Sequence, residues 1–131
     1  MEPRFSEPLF VISVAARLVE MHPQTLRKYE REGLIAPSRT SGNLRLYSDR
    51  DIERLRQVKF LVEQRGLNLA GVQLALELTQ QIQDLRARIV AASENRKPSP
   101  VVAELDNLLE SLGFVDEQRL RDTKRQEERR P

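Results

Sequence analysis

Apolar residues follow several rhythms along this chain, and each rhythm predicts a different element. Leu9-Phe10-Val11-Ile12 is a brief unbroken apolar run, the size of a short strand. Val14, Ala15, Leu18 and Met21 then recur at helical spacing, which predicts a helix capped by Ser13 and running through Met21. A second helix is predicted from Pro23 to about Glu32 with His22 as its cap, since a missing N–H is harmless at the first helical position. Leu26 faces inward in that helix, while Gln24, Arg27, Lys28 and Arg31 face out. Gly33 suits the left-handed residue that closes it. Two short helices joined by a tight turn form a helix-turn-helix unit.

Arg39-Thr40 and Arg45-Leu46-Tyr47 flank Gly42-Asn43, a pair suited to positive φ, so a two-stranded wing is predicted there. Ser48 and Asp51 have the spacing of a capping box and open a helix with Ile52, Leu55, Val58, Leu61 and Val62 as its buried stripe and Gly66 as its stop. Asn68 caps the next helix, in which Leu69, Val72, Leu76 and Leu78 are apolar. From Leu78 the period changes. Leu78, Ile82, Leu85, Ile89 and Ala92 step by 4, 3, 4 and 3, the seam of a coiled coil. Asn95 to Pro100 interrupts it. Ser99 and Pro100 open a last helix that carries Val101, Leu105, Leu108, Leu109 and Leu112 on one face, and Gly113 ends it; packing within the chain is the first expectation for that face, with an effector as an alternative occupant. The predicted fold is mainly α. It has an arm at 1–8 and a winged helix-turn-helix domain with a small β wing at 9–77. A dimerisation coiled-coil helix at 78–94, a linker at 95–100, a C-terminal amphipathic helix at 101–115 and a charged, mobile or weakly helical tail at 116–131 follow.

Composition narrows the chemistry. The 131 residues suffice for one small domain and an extension. There is no cysteine and a single histidine, His22, so neither a thiolate metal site nor an imidazole cluster is expected, and no cofactor is implied. The inventory for a nucleophile–base pair is thin and no phosphate-cradling glycine loop occurs, so catalysis is not expected. No apolar run approaches the roughly 20 residues that span a bilayer. No membrane partner is expected, and the expected location is cytoplasmic, on the nucleoid. The net charge of +2 is uninformative in total but not in its distribution. Residues 1–71 hold twelve Lys/Arg against nine Asp/Glu, residues 72–131 ten against eleven, and the segment from His22 to Tyr47 five against two. The positive excess lies on the helix and hairpin, as a grip on duplex DNA requires.

Thr25-Leu26-Arg27-Lys28-Tyr29-Glu30, Gly33-Leu34-Ile35, Arg39, Arg45-Leu46-Tyr47-Ser48 and Asp51-Ile52, in this order from about Phe10 to Leu76, resemble the MerR family of transcription regulators. Val11 to Ala16, Met21 to Arg27, Arg39-Thr40 and Asn68 to Val72 are similar to its heat-shock repressor branch. The wing turn departs from that branch: Gly42-Asn43 stands where Gly-Gly is common, and the family's glutamine-metabolism regulators also carry Gly-Asn. The resemblance implies a homodimeric repressor of chaperone genes that binds an inverted repeat, with the chaperone DnaK as corepressor and as a further alternative occupant of the face from Val101 to Leu112. A nitrogen-status regulator partnered by glutamine synthetase, and an adaptor that binds proteins but not DNA, are the alternatives.

Residue roles follow from side-chain chemistry. Arg27 suits bidentate contact with guanine O6 and N7. Gln24 and Thr25, at the start of the same helix, are placed for bases or phosphate, and Lys28 and His22 for phosphate. Tyr29 offers its hydroxyl to phosphate or packs beneath the helix. Arg39, Arg45 and Tyr47 form the wing set for phosphate and minor groove, and Arg17 and Arg65 flank as backbone contacts. Leu78, Ile82, Leu85 and Ile89 form the dimer seam. Each role has a plainer counterpart. His22 is then a cap alone, Tyr29 and Tyr47 are core aromatics, Arg45 is a solvated hairpin charge, and the leucine stripe packs on its own domain.

Overall fold

The computed structural model describes residues 5–93 and 99–115. The expected tail at 116–131 and most of the expected linker, residues 95–98, lie outside the described residues. In order, the elements are strand β1 (Phe10–Val11), helices α1 (Ile12–Val19) and α2 (Pro23–Arg31), strands β2 (Ser38–Arg39) and β3 (Arg45–Tyr47), and helices α3 (Asp49–Glu63), α4 (Leu69–Ser93) and α5 (Pro100–Ser111).

The sheet has three strands rather than two. β3 is central and antiparallel to both neighbours, pairing Phe10 with Tyr47 and Val11 with Leu46 on one side, and Ser38 with Leu46 and Arg39 with Arg45 on the other. In the wing turn Asn43 alone takes positive φ, at 65°, and Gly42 does not. The Asn43 N–H donates to the Thr40 carbonyl, and the Thr40 N–H to the Leu44 carbonyl, both at 2.9 Å. The three-residue loop Ser41-Gly42-Asn43 therefore places its left-handed residue last, the arrangement that matches strand twist in a hairpin of this length.

Local signals set most of the other boundaries. His22 Nδ1 accepts from the Gln24 N–H at 3.0 Å ahead of Pro23. Ser48 and Asp51 satisfy each other's N–H at 2.9 and 3.1 Å. Asn68 Oδ1 accepts from the Gly71 N–H at 2.9 Å, and Ser99 Oγ from the Val101 N–H at 3.1 Å. Helix α1 corrects the sequence reading at both ends. It starts at Ile12 with no side-chain cap, because β1 feeds straight into it, and Ser13 sits exposed in its first turn. It stops at Val19, where Glu20 turns left-handed at φ 55°. Cations of α3 cover its free carbonyls: Lys59 Nζ donates to Val19 and Glu20, and Arg56 to Leu18. Its buried face is Ala15, Ala16 and Val19, which leaves Leu18 exposed. On α3, Val62 is likewise exposed.

The core beneath the sheet contains Leu26, Tyr47, Leu55, Val58, Leu61 and Val72 as its largest fully enclosed side chains. Helix α4 is continuous across the 77/78 boundary. Its 25 residues extend about 37 Å at 1.5 Å each. Its first half buries Val72, Ala75, Leu76 and Thr79, and its second half packs against α5. One buried amide joins the three long helices: Gln57 of α3 donates to Thr79 Oγ1 of α4 at 2.8 Å and to the Leu112 carbonyl after α5 at 3.1 Å. Gly113 allows that junction, since a Cβ there would meet Phe60 at 2.4 Å. The apolar face expected on α5 divides, with Leu105 and Leu109 buried and Val101 and Leu108 exposed. Arg86 and Asp106 close the α4–α5 contact at 2.6 Å.

Candidate nucleic-acid interface

Helix α2 is mostly polar. Leu26 and Tyr29, one turn apart, hold it to the core, so the residues between and beyond them must face outward. Arg27, Glu30 and Arg31 fall together on that outer side by helical spacing. The wing hairpin folds against it. Arg39 Nη2 donates to both Glu30 carboxylate oxygens at 3.0 and 3.2 Å, Arg39 Nη1 donates to the Asn43 carbonyl at 3.2 Å, and Arg45 Nε donates to Glu30 Oε1 at 2.6 Å. Helix and wing therefore form one continuous cationic surface rather than two separate appendages.

Charge pairing sorts the cations of this surface. Arg39 and Arg45 share Glu30, and Lys28 lies 3.9 Å from Glu32 across one helical turn. Arg27 and Arg31 have no ion pair among the described residues. Burial would raise the Glu30 carboxyl, but the hydrogen bonds and charges of Arg45 and Arg39 together hold it below the usual carboxylate range. It is therefore anionic at neutral pH.

Tyr47 itself is removed from the contact set. It is 0% exposed, the largest enclosed side chain in the core, and its hydroxyl has no hydrogen-bond partner among the described residues. Burial is the main reason its phenol is raised. Tyr29 is also buried, and burial followed by the charges of Glu32 and Glu63 raises its phenol, so its ring packs beneath the helix. Tyr47→Phe is expected to cost no stability, because an unpartnered buried hydroxyl carries a penalty of about 1–3 kcal/mol. Duplex affinity of that variant should match the parent, as checked by thermal melting and fluorescence anisotropy. A large loss of affinity would return the hydroxyl to the contact set.

His22, Gln24 and Thr25 lie at the N-terminus of α2, His22 and Gln24 exposed and Thr25 half-buried. Arg17, on the last turn of α1, and Arg65, in the turn after α3, are exposed but make no hydrogen bond or ion pair with the Glu30 cluster. Two elements of the surface were missed by pattern reading. The sequence shows Glu30 as part of the family motif and as an acid within a basic segment, and an acid in such company is itself a signal. Phe5 falls in the expected arm, yet its carbonyl accepts from the Arg50 N–H at 3.0 Å and its ring lies 5.4 Å from the Arg50 guanidinium. Among the described residues no group of three or more His, Cys, Asp or Glu is placed to hold a metal, and no helix is long and apolar enough to cross a membrane.

Comparison with known proteins gives a consistent set of relatives. Residues 10–79 match the family described as MerR HTH family regulatory protein. Over 81 residues the chain is 56% identical to the heat shock protein HspR of Streptomyces coelicolor, a match covering 62% of this chain and 54% of that one. It is 41% identical over 75 residues to the HTH-type transcriptional regulator GlnR of Bacillus anthracis, covering 57% of each. It is 31% identical over 108 residues to the HTH-type transcriptional regulator YfmP of Bacillus subtilis, covering 81% of this chain and 77% of that protein. The matches to HspR and GlnR span about half the length of those two relatives.

Proposed function

The chain belongs to the MerR family of helix-turn-helix transcription regulators, and we propose that it represses heat-shock and chaperone genes by binding an inverted-repeat operator as a homodimer. The observation that carries the reading is the union of α2 and the wing through Glu30, which gathers Arg27, Arg31, Arg39 and Arg45 on one face. In this reading α2 enters the major groove and Arg27 contacts base edges. Gln24, Thr25, Lys28 and His22 contact bases or phosphate at the same helix, and the wing arginines grip phosphate and minor groove. Arg17 and Arg65 act as flanking backbone contacts. Two such faces related by a two-fold axis reach successive major grooves about 34 Å apart. The protein would act on the nucleoid, in the cytoplasm. No step calls for catalysis.

The identity with HspR supports the heat-shock assignment and, with it, DnaK as corepressor. The identity with GlnR and the Gly42-Asn43 turn support a second reading, a nitrogen-status regulator partnered by glutamine synthetase. Capture of partners from lysate separates the two by which protein is retained. Salt titration tests DNA binding as such: affinity for a duplex should fall steeply between low and physiological salt, because each phosphate contact releases counterions. Absence of duplex binding at low salt would favour a protein-binding adaptor.

Arg27→Ala is expected to weaken operator binding by about 1–3 kcal/mol and to relax the preference at one base position. Selection of bound sequences by variant and parent checks this. Equal losses on operator and scrambled duplex would reduce Arg27 to a phosphate contact.

A further inference from the structure

We propose that Glu30 is a positioning residue that sets the wing arginines for sequence-specific binding, so that it raises specificity while lowering general attraction to DNA. This rests on the duplex-binding reading above. By charge alone a carboxylate on this face is a liability, since it repels the phosphates that the surrounding cations attract. Its geometry serves another purpose. It accepts from Arg39 through both oxygens and from Arg45 through one, so two residues of opposite wing strands are held by a single side chain of the reading helix.

The two arginines are used differently. Arg39 commits Nη2 to Glu30 and Nη1 to the Asn43 carbonyl in the hairpin turn, and so acts as a strut between helix and wing tip. Arg45 commits only Nε, at 2.6 Å. Its two Nη groups have no partner among the described residues. A guanidinium gripped by its Nε edge presents its outer fork in a fixed direction, the geometry that phosphate and base acceptors read in bidentate fashion. Its ordering entropy is then lost on folding rather than on binding. Glu30 also stands one helical turn after Arg27. One carboxylate thus sets the distance between the side chain placed to read bases and the arginines placed to clamp the backbone.

The test uses the full chain, an operator recovered from genomic fragments bound by the parent protein, and a scrambled duplex of equal length. In Glu30→Gln, scrambled-duplex affinity should stay level or rise a few-fold, because a negative charge is gone, while operator affinity should drop. The specificity ratio should fall about tenfold. In a background with both Arg39→Ala and Arg45→Ala the same substitution should leave that ratio nearly unchanged, because Glu30 would act through these two arginines. Parallel gains on both duplexes would make Glu30 a simple repulsive charge and overturn the proposal. Parallel losses accompanied by a lower melting temperature would make it a fold-supporting residue and also overturn it. A parent protein that binds neither duplex would bring down the duplex-binding reading itself, an outcome distinct from a parent that binds while the variant keeps its ratio.

Discussion

Replacing Leu26 with alanine should lower the unfolding free energy by about 2–5 kcal/mol, the range for truncating a fully buried leucine without collapse of the cavity left behind. Leu26 is 0% exposed and shares the core with Ala15, Tyr47 and Leu55. For a domain whose total stability is on the order of 5–15 kcal/mol, that loss is a large fraction. Its functional cost should be larger still. Helix α2 has nine residues, too few to persist in water without tertiary support, and it buries only Leu26 and Tyr29. Loosening one of two anchors lets the helix that carries Arg27 and Glu30 shift against the wing. Urea unfolding followed by circular dichroism measures the first effect, and operator binding at a temperature where the variant remains folded measures the second. Leu44→Ala at the exposed wing tip is the control, with a change within about 0.5 kcal/mol. A Leu26→Ala protein that unfolds at the parent's urea midpoint would mean that the reading helix is held by something other than its buried leucine.

The helix caps were legible because they act over two or three residues. His22 before Pro23, Ser48 with Asp51, Asn68, and Ser99 before Pro100 each satisfy backbone groups within one turn, and the glycines at 33, 66 and 113 take the positive φ that ends a helix, so chain order alone exposes them. What distant partners determine was not legible. Pairing of Phe10 with Tyr47 spans the whole helix-turn-helix and converts a hairpin into a three-stranded sheet. That pairing also places Tyr47 under the sheet instead of on the wing surface. β1 leads directly into α1 and rotates its buried face from Leu18 to Ala15, Ala16 and Val19, a choice that spacing within one short helix cannot settle. Glu30 lies fifteen residues from Arg45 in sequence, and Gln57 fifty-five from Leu112. Polar bridges of that range carry no periodic signature.

Leu85→Asp should convert the protein to a monomer and reduce operator affinity about 10²–10⁴-fold, the factor lost when two linked half-site contacts become independent. Helix α4 supplies the reason. α5 covers one side of its second half with Leu105 and Leu109, and Arg86–Asp106 fastens that contact. Of the expected seam, Ile82 and Ile89 are half-buried, while Leu78 and Leu85, a heptad apart, stay 40% and 43% exposed, with Leu74 one turn earlier at 57%. Leucines about half exposed gain roughly 0.7–1.5 kcal/mol each when buried completely, and a two-fold partner repeats every contact. An aspartate in such a seam enters twice, brings two like charges together and desolvates both. Because Leu85 lies outside the core of the winged domain, the variant's domain should melt as the parent's does, so loss of pairing can be told from loss of fold. Light scattering gives the mass and anisotropy the affinity. A dimeric mass would remove this edge of α4 as the seam. A monomer that retains full operator affinity would show instead that one copy suffices for binding, and the inverted repeat would lose its structural rationale.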